Sequence, residues 1–278
     1  MSPIRKPNMS FLSGVSLAKR SDYQTWMFVA AGLSLLFIAV YSVFSVVETI
    51  IDEPERSEEV RLPNFSAITS TQERKQAFFE FLEPFVAEAN GDILEERAEV
   101  LKLQAYFERN QRLNGSRLES FNELREAYKL DPVDAASPGA FRELLARVDT
   151  IPTSLALAQA AIESGWGTSR FARQGNNLFG MWCYEPGCGL VPKRRSAGKK
   201  HEVTVYRSPR ESFLAYLHNL NTGAAYEALR DIRAAHRENG VEPTGRDLAP
   251  GLVRYSQERW TYVDKVRGMI SANRLDER

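Results

Sequence analysis

Ala158-Gln-Ala-Ala-Ile-Glu-Ser-Gly-Trp-Gly-Thr-Ser169 is the stretch from which the fold of this chain is read. It starts as small, apolar residues, reaches a lone carboxylate at Glu163, and turns at once through Gly165 and Gly167. Glycine just past the last periodic residue stops a helix, because it adopts a left-handed backbone without steric cost. Ile151-Pro152-Thr153 opens the same helix upstream, with proline at the helix entrance where its missing N–H is harmless. Glu163 is out of keeping with this setting. The partial negative charge of a helix C-terminus and desolvation by Ala160, Ile162 and Trp166 both disfavour the carboxylate, so its pKa is expected to rise. A raised carboxyl pKa is what a general acid needs.

Helical periodicity extends outward from this segment on both sides. Ser137 and Pro138 read as an N-cap and first-turn proline ahead of Phe141, Leu144, Leu145 and Val148. Earlier, three amphipathic helices are expected on the faces Phe78/Leu82/Phe85/Val86/Ala89, Leu94/Ala98/Leu101/Ala105 and Leu118/Phe121/Leu124/Tyr128, with Pro84 kinking or restarting the first. Between Leu190 and Arg207 the pattern changes: Ser196-Ala197-Gly198 forms a turn, and His201 to Tyr206 alternates with Val203 and Val205 on one face, which predicts a β-hairpin. Ser208-Pro-Arg-Glu211 fits a capping box before Phe213, Leu214, Leu217 and Leu220. Tyr226, Leu229 and Ile232 mark a further helix, and Arg259, Val263, Val266 and Ile270 mark the last. The fold class is therefore mostly α (α+β), a helical domain with one small hairpin.

The chain has 278 residues, 43% hydrophobic and 26% charged, so it can bury a core and is not disordered as a whole. With 36 basic and 36 acidic residues the net charge is 36 − 36 = 0, and no global field draws it to nucleic acid. Tyr23 to Val47 carries no charge, and about 20 apolar residues suffice to span a bilayer. The run is longer than a signal-peptide core and ends in Val46-Val47-Glu48, which reads as an uncleaved anchor. Arg5, Lys6, Lys19 and Arg20 precede it, and Glu48, Asp52, Glu53, Glu55, Glu58 and Glu59 follow it. The positive-inside rule then places residues 1–22 in the cytoplasm and, for a bacterial inner membrane, the rest of the chain in the periplasm. In an oxidising compartment Cys183 and Cys188 are expected to form a local disulfide. His201, His218 and His236 show no ligand spacing, and no metal site is expected. Residues 48–70 read as a linker, 71–136 as a helical N-terminal extension that could act as a lid, and 137–278 as the principal domain.

Glu163-Ser-Gly-Trp-Gly followed by Asn176-Asn-Leu-Phe-Gly180 resembles the glucosaminidase family of peptidoglycan hydrolases, relatives of flagellar and autolysin muramidase-like domains. The stretches Cys183–Pro192, His201-Glu-Val, Tyr206–Ser212 and Asn219–Thr222 are closer still to a membrane-anchored member. The resemblance covers about Ser137 to Ile270. It implies a lysozyme-like fold, peptidoglycan glycan strands as substrate, no cofactor, and Glu163 as catalytic acid. The family often draws a second carboxylate from the hairpin, but Val191 to Lys200 is basic and holds no acid. Glu202 is the preferred candidate and Glu185 the alternative; failing both, the substrate's own acetamido group can act.

Tyr255 and Tyr262 lie in a segment resembling the family's C-terminal tyrosine motif, with Tyr262 preferred at the reaction centre. Trp166, Phe179 and Trp182 are candidates for stacking on sugar rings or for core packing. Asn176 and Asn177 are candidates for orienting the acid or the 2-acetamido group, or for capping the turn before the hairpin. The implied activity is cleavage of the β-1,4 bond after N-acetylglucosamine. A lytic transglycosylase and an inactive wall-binding module are the rivals, the former lacking its Gly-Leu-Met-Gln type motif here. A regulatory partner is left unidentified.

Overall fold

The computed structural model describes residues 60–277 apart from 194, 196 and 197. The expected cytoplasmic tail, the expected membrane helix at 23–47, most of the linker and the centre of the hairpin turn lie outside the described residues. Among the described residues no helix is long and apolar enough to cross a membrane.

Helix α1 runs from Thr71 to Asn110, 40 residues, with Ser70 capping it by accepting from the Glu73 N–H. Two expectations change here. Pro84 neither stops nor restarts the helix; it sits on the exposed side, where water can replace the backbone bond that proline cannot donate. The second half of α1 also turns a different face inward from the one expected. Ile93, Val100, Leu103 and Phe107 are buried, whereas Leu94 and Leu101 are 50% and 46% exposed. Ile, Val, Leu and Phe offer the core more volume than the Leu/Ala stripe, and Arg97, bonded to the Leu145 and Val148 carbonyls, fixes the rotation. The three expected helices are thus two, α1 and α2 (Gly115–Ala127).

Helix α3 (Pro138–Arg147) is capped by Ser137, with Pro138 in its first turn as expected. Helix α4 (Thr153–Ser164) lies at the centre, buried along nearly all of its length from Ser154 to Ala161. A short α5 (Arg170–Gly175) leads into the sheet. Strands β1 (Trp182–Cys183), β2 (Gly189–Leu190) and β3 (Glu202–Thr204) form an antiparallel sheet with β3 in the middle. The expected hairpin is the β2–β3 pair, with Leu190 opposite Val203. A third strand joins because the buried Asn177 donates to the carbonyls of both Met181 and Thr204, holding β1 against β3. At Gly189 a Cβ would lie 2.1 Å from the Val203 carbonyl oxygen, so only glycine fits.

Helix α6 (Pro209–Thr222) begins at Ser208, whose hydroxyl accepts from the Glu211 N–H. The return arm of the expected capping box is displaced by one residue, since Glu211 accepts from the Arg207 N–H. Helices α7 (Glu227–Glu238), α8 (Gly245–Leu248) and α9 (Trp260–Ala272) complete the domain. One continuous apolar cluster includes residues of α1, α4, α6 and α9. Asn90 of α1 bonds both the N–H and the carbonyl of Ile151, at 3.1 and 2.8 Å, immediately before α4. These contacts make α1 part of the core that carries the Glu163 helix, against the expectation of a lid.

Asp149 joins α1, α3 and α7. Its side chain is 3% exposed and lies 2.8 Å from Arg237, 3.6 Å from Arg97 and 3.7 Å from Arg233. Arg233, also buried, donates to the carbonyls of Ala146, Asp149 and Thr150 and to Asn221. The three guanidinium groups hold the Asp149 carboxyl below the usual range although burial alone would raise it. Removing one partner of such a buried set leaves charges uncompensated. Asp149→Ala is therefore expected to cost about 3 kcal/mol or more, read as a lowered denaturation midpoint at pH 7.

Candidate active site

The turn after α4 is unusually constrained. Gly165, Trp166 and Gly167 have φ of 58°, 60° and 72°; the two glycines accept this freely, whereas for Trp166 it is strained. Surrounding packing holds it. The Trp166 N–H donates to the Ala161 carbonyl at 3.0 Å, and its indole packs edge-on against Phe78 and Phe79 with centroids 5.7 and 5.2 Å away. The Ser164 hydroxyl donates to the Ala160 carbonyl and accepts from the Gly167 N–H. A Cβ at Gly167 would come within 2.7 Å of the Phe65 ring, so the segment before α1 wedges directly against the turn that follows Glu163.

Glu163 is half-buried in the last turn of α4. Its Oε1 accepts from the Tyr262 hydroxyl at 2.6 Å. That hydroxyl accepts in turn from Gln159 Nε2 at 2.9 Å, and Gln159 Oε1 accepts from the Tyr216 hydroxyl at 2.6 Å. Gln159 is one helical turn before Glu163 and fully buried. Its amide must accept at its oxygen and donate at its nitrogen, which sets the direction of the whole chain: Tyr216 to Gln159 to Tyr262 to Glu163. Burial raises the Glu163 pKa, the Tyr262 bond pulls it partly back, and the negative charge of Glu258 adds to the rise. The net direction is upward, the one anticipated from sequence. Tyr262 is itself pushed up by burial and by the neighbouring Tyr255 and Glu163, and stays a neutral donor.

Aromatic rings back this chain. Tyr255 stacks on Tyr262 with centroids 5.2 Å apart and planes at 7°, and its hydroxyl donates to the Phe179 carbonyl. Phe179 stacks on Tyr216 at 3.9 Å and is 4% exposed. Phe179 is thus a core residue, and Trp166 is partly buried against the core. Trp182 differs: it is 55% exposed and stacked on His201 at 4.2 Å.

The asparagines are spent on the turn. Asn176, at φ 48°, caps α5 and donates to the Tyr206 carbonyl, and Asn177 adds a bond from the Met181 N–H to those described above. Glu202 accepts from the N–H groups of Gly187 and Gly189 through separate oxygens, at 3.2 and 2.9 Å. Those two bonds hold its carboxyl below the usual range. Cys183 and Cys188 are joined by a disulfide and bracket the loop that Glu202 ties down. Glu185 lies exposed in that loop.

The structure therefore brings Glu163, Tyr262 and Tyr255 together and gives Glu202, Asn176 and Asn177 tasks in the hairpin. Sequence reasoning missed Gln159 and Tyr216. Gln159 carried a signal, being a lone amide within an apolar helix four residues before Glu163. A cavity of about 760 Å³, lined by Thr244, Arg246, Asp247 and Arg267 among others, touches none of these groups. A cavity of about 590 Å³ includes Tyr255, Ser256 and Arg259 in its lining.

A family model described as mannosyl-glycoprotein endo-beta-N-acetylglucosaminidase (Glucosaminidase) matches residues 139–275. Protein bax from Escherichia coli (strain K12) is 34% identical over 212 residues, covering 76% of this chain and 74% of that protein. The catalytic domain of the autolysin Auto from Listeria monocytogenes, a crystal structure, is 21% identical with a TM-score of 0.41, over 76% of this chain and 91% of that one. With a relative this similar over most of both chains, and a family match spanning Glu163 and both tyrosines, the chain belongs to the glucosaminidase family.

Proposed function

We propose that this chain is a membrane-anchored peptidoglycan hydrolase that cleaves the β-1,4 bond after N-acetylglucosamine, with Glu163 as general acid. The observation that carries the reading is the one-directional chain ending at Glu163 Oε1. A carboxylic acid has one carbonyl oxygen and one hydroxyl. Because Tyr262 donates to Oε1, the acidic proton resides on Oε2, where it is available to the leaving oxygen. Burial raises the carboxyl pKa and so favours the protonated form that a general acid needs.

The transition state also needs a negative partner. Glu202 is ionised but committed to two backbone N–H groups, and as a base it would have to release both. The better-supported partner is the substrate's 2-acetamido oxygen. It attacks the anomeric carbon as the bond to the leaving oxygen breaks and Glu163 transfers its proton; water then opens the cyclic intermediate, returning a proton to Glu163. Exposed Trp182, held flat by His201, offers a face for a sugar ring. Tyr23 to Val47, as a bilayer span, places this chemistry outside the inner membrane.

Mass spectrometry of fragments released from purified peptidoglycan tests the proposal. New reducing N-acetylglucosamine ends are expected from the wild type, and a loss of about 100-fold or more in rate from Glu163→Gln. Anhydro ends would instead assign a transglycosylase, and binding without release a wall-binding module. Two further substitutions should move the alkaline limb of the pH–rate profile in opposite directions. Tyr262→Phe removes the bond that favours the charged form and shifts the limb upward, with a lower maximal rate. Glu258→Gln removes the charge that favours the protonated form and shifts it downward. Glu202→Gln is expected to retain turnover but melt at a lower temperature at neutral pH. Because the folded-state pKa of Glu202 is lowered, that stabilisation is present above the ordinary glutamate pKa and fades as pH falls through the folded value. The gap in melting temperature should close in acid.

A further inference from the structure

Along the solvent side of α1 an apolar stripe faces outward. Ala87, Gly91, Leu94, Ala98, Leu101 and Ala105 follow one another at steps of four, three, four, three and four residues. This is the a/d spacing of a coiled-coil seam. Gly91 is partly covered and the other five are exposed, and no described residue is packed over the two leucines, which rank among the exposed large hydrophobics of the domain. The helix has already satisfied its core through a different face, that of Ile93, Val100 and Phe107. The stripe is therefore a second apolar face, about 27 Å long at 1.5 Å per residue, without an occupant among the described residues.

We propose that this stripe is the interface with a second copy of the same chain, the two α1 helices packing antiparallel about a two-fold axis midway between Leu94 and Ala98. Charge decides the direction. A parallel pair would set Glu83 against Glu88 of the second copy, like-charged, whereas Arg97 is turned inward onto the Leu145 and Val148 carbonyls and takes no part. In the antiparallel pair Glu88 meets Lys102 of the second copy twice, once on each side of the axis. Both side chains are free to do so: Glu88 is 55% exposed in a 3.4 Å pair with Arg210, and Lys102 is 75% exposed in a 3.4 Å pair with Glu99. Exposed pairs of that kind are weak and exchange partners readily. The layers then alternate Ala87 with Ala105, Gly91 with Leu101, and Leu94 with Ala98, each pairing a small residue with a larger or equal one, which lets the helix axes approach closely. Glu95 meets its own copy near the axis. With a single helix pair as its contact, the dimer is at the small end of specific interfaces and is reversible.

Single-cysteine variants of the full chain in detergent micelles test the arrangement, since the two native cysteines are already joined. Ala87→Cys mixed with Ala105→Cys should give a crosslinked dimer with a short bis-maleimide, while Ala87→Cys alone should give none, its two thiols lying about 27 Å apart. Leu101→Glu should raise the dimer dissociation constant by about tenfold or more. Glu88→Lys should weaken it, and Glu88→Lys with Lys102→Glu should restore it. Near-UV circular dichroism checks that each variant is folded, and all positions are on the solvent side of the helix. A strong Ala87→Cys self-crosslink would mean parallel pairing, and monomers at every concentration would mean no self-association. Each of these results overturns the proposal.

Discussion

The hydrogen bond from Tyr262 to Glu163 is the interaction on which the rest of the site depends. It opposes burial, which alone would raise the carboxyl pKa further, and it fixes which oxygen accepts. Its direction is not chosen locally. Gln159 can accept from Tyr216 only by presenting its nitrogen to Tyr262, so a fully buried amide one turn away sets the direction of the bond to Glu163. Chains of this kind strengthen one another in a low-dielectric interior, and leaving one member unsatisfied is costly. The stack of Tyr255 on Tyr262 and of Phe179 on Tyr216 removes water from both ends of the chain.

The backbone supports this from the other side. Three successive residues at positive φ make the turn after Glu163, and the strained one, Trp166, is kept there by α1 through Phe78 and Phe79. Phe65, just before α1, packs on Gly167. The N-terminal helix of the domain is thus a structural support for the acid rather than an accessory, which accounts for its extending the apolar cluster of α4 and α9.

Much of this was legible in the sequence. Caps at Ser137 and Ser208, the glycine stop at Gly165 and the periods of the later helices are local signals, and local signals survive folding. The upward direction of the Glu163 pKa is legible because burial, its main cause, begins with apolar neighbours adjacent in the chain, whereas the contribution of Glu258 comes from the far end of the domain. What was illegible depends on distant residues. Helix α1 carries two apolar faces, and no periodicity within it tells which one meets the core; Arg97, bonded to carbonyls some fifty residues away, decides it. The third strand exists because Asn177 reaches two carbonyls at once, and a strand as short as Trp182–Cys183 has no alternation to read. The hairpin position of Glu202 suggests a catalytic carboxylate, but its partners are the N–H groups of Gly187 in the disulfide loop and Gly189 in β2, whose path the sequence does not disclose. Gln159 and Tyr216 come from helices far apart in sequence, and only the folded chain brings them to Tyr262.

The central claim is that burial raises the Glu163 carboxyl pKa against the pull of Tyr262. The most direct measurement is a carbon-13 NMR titration of the Glu163 side-chain carboxyl, assigned by its loss in Glu163→Gln. The account predicts a midpoint above the ordinary glutamate range in the folded wild type. A midpoint at or below that range would contradict it, because nothing would then set Glu163 apart from an ordinary solvated glutamate.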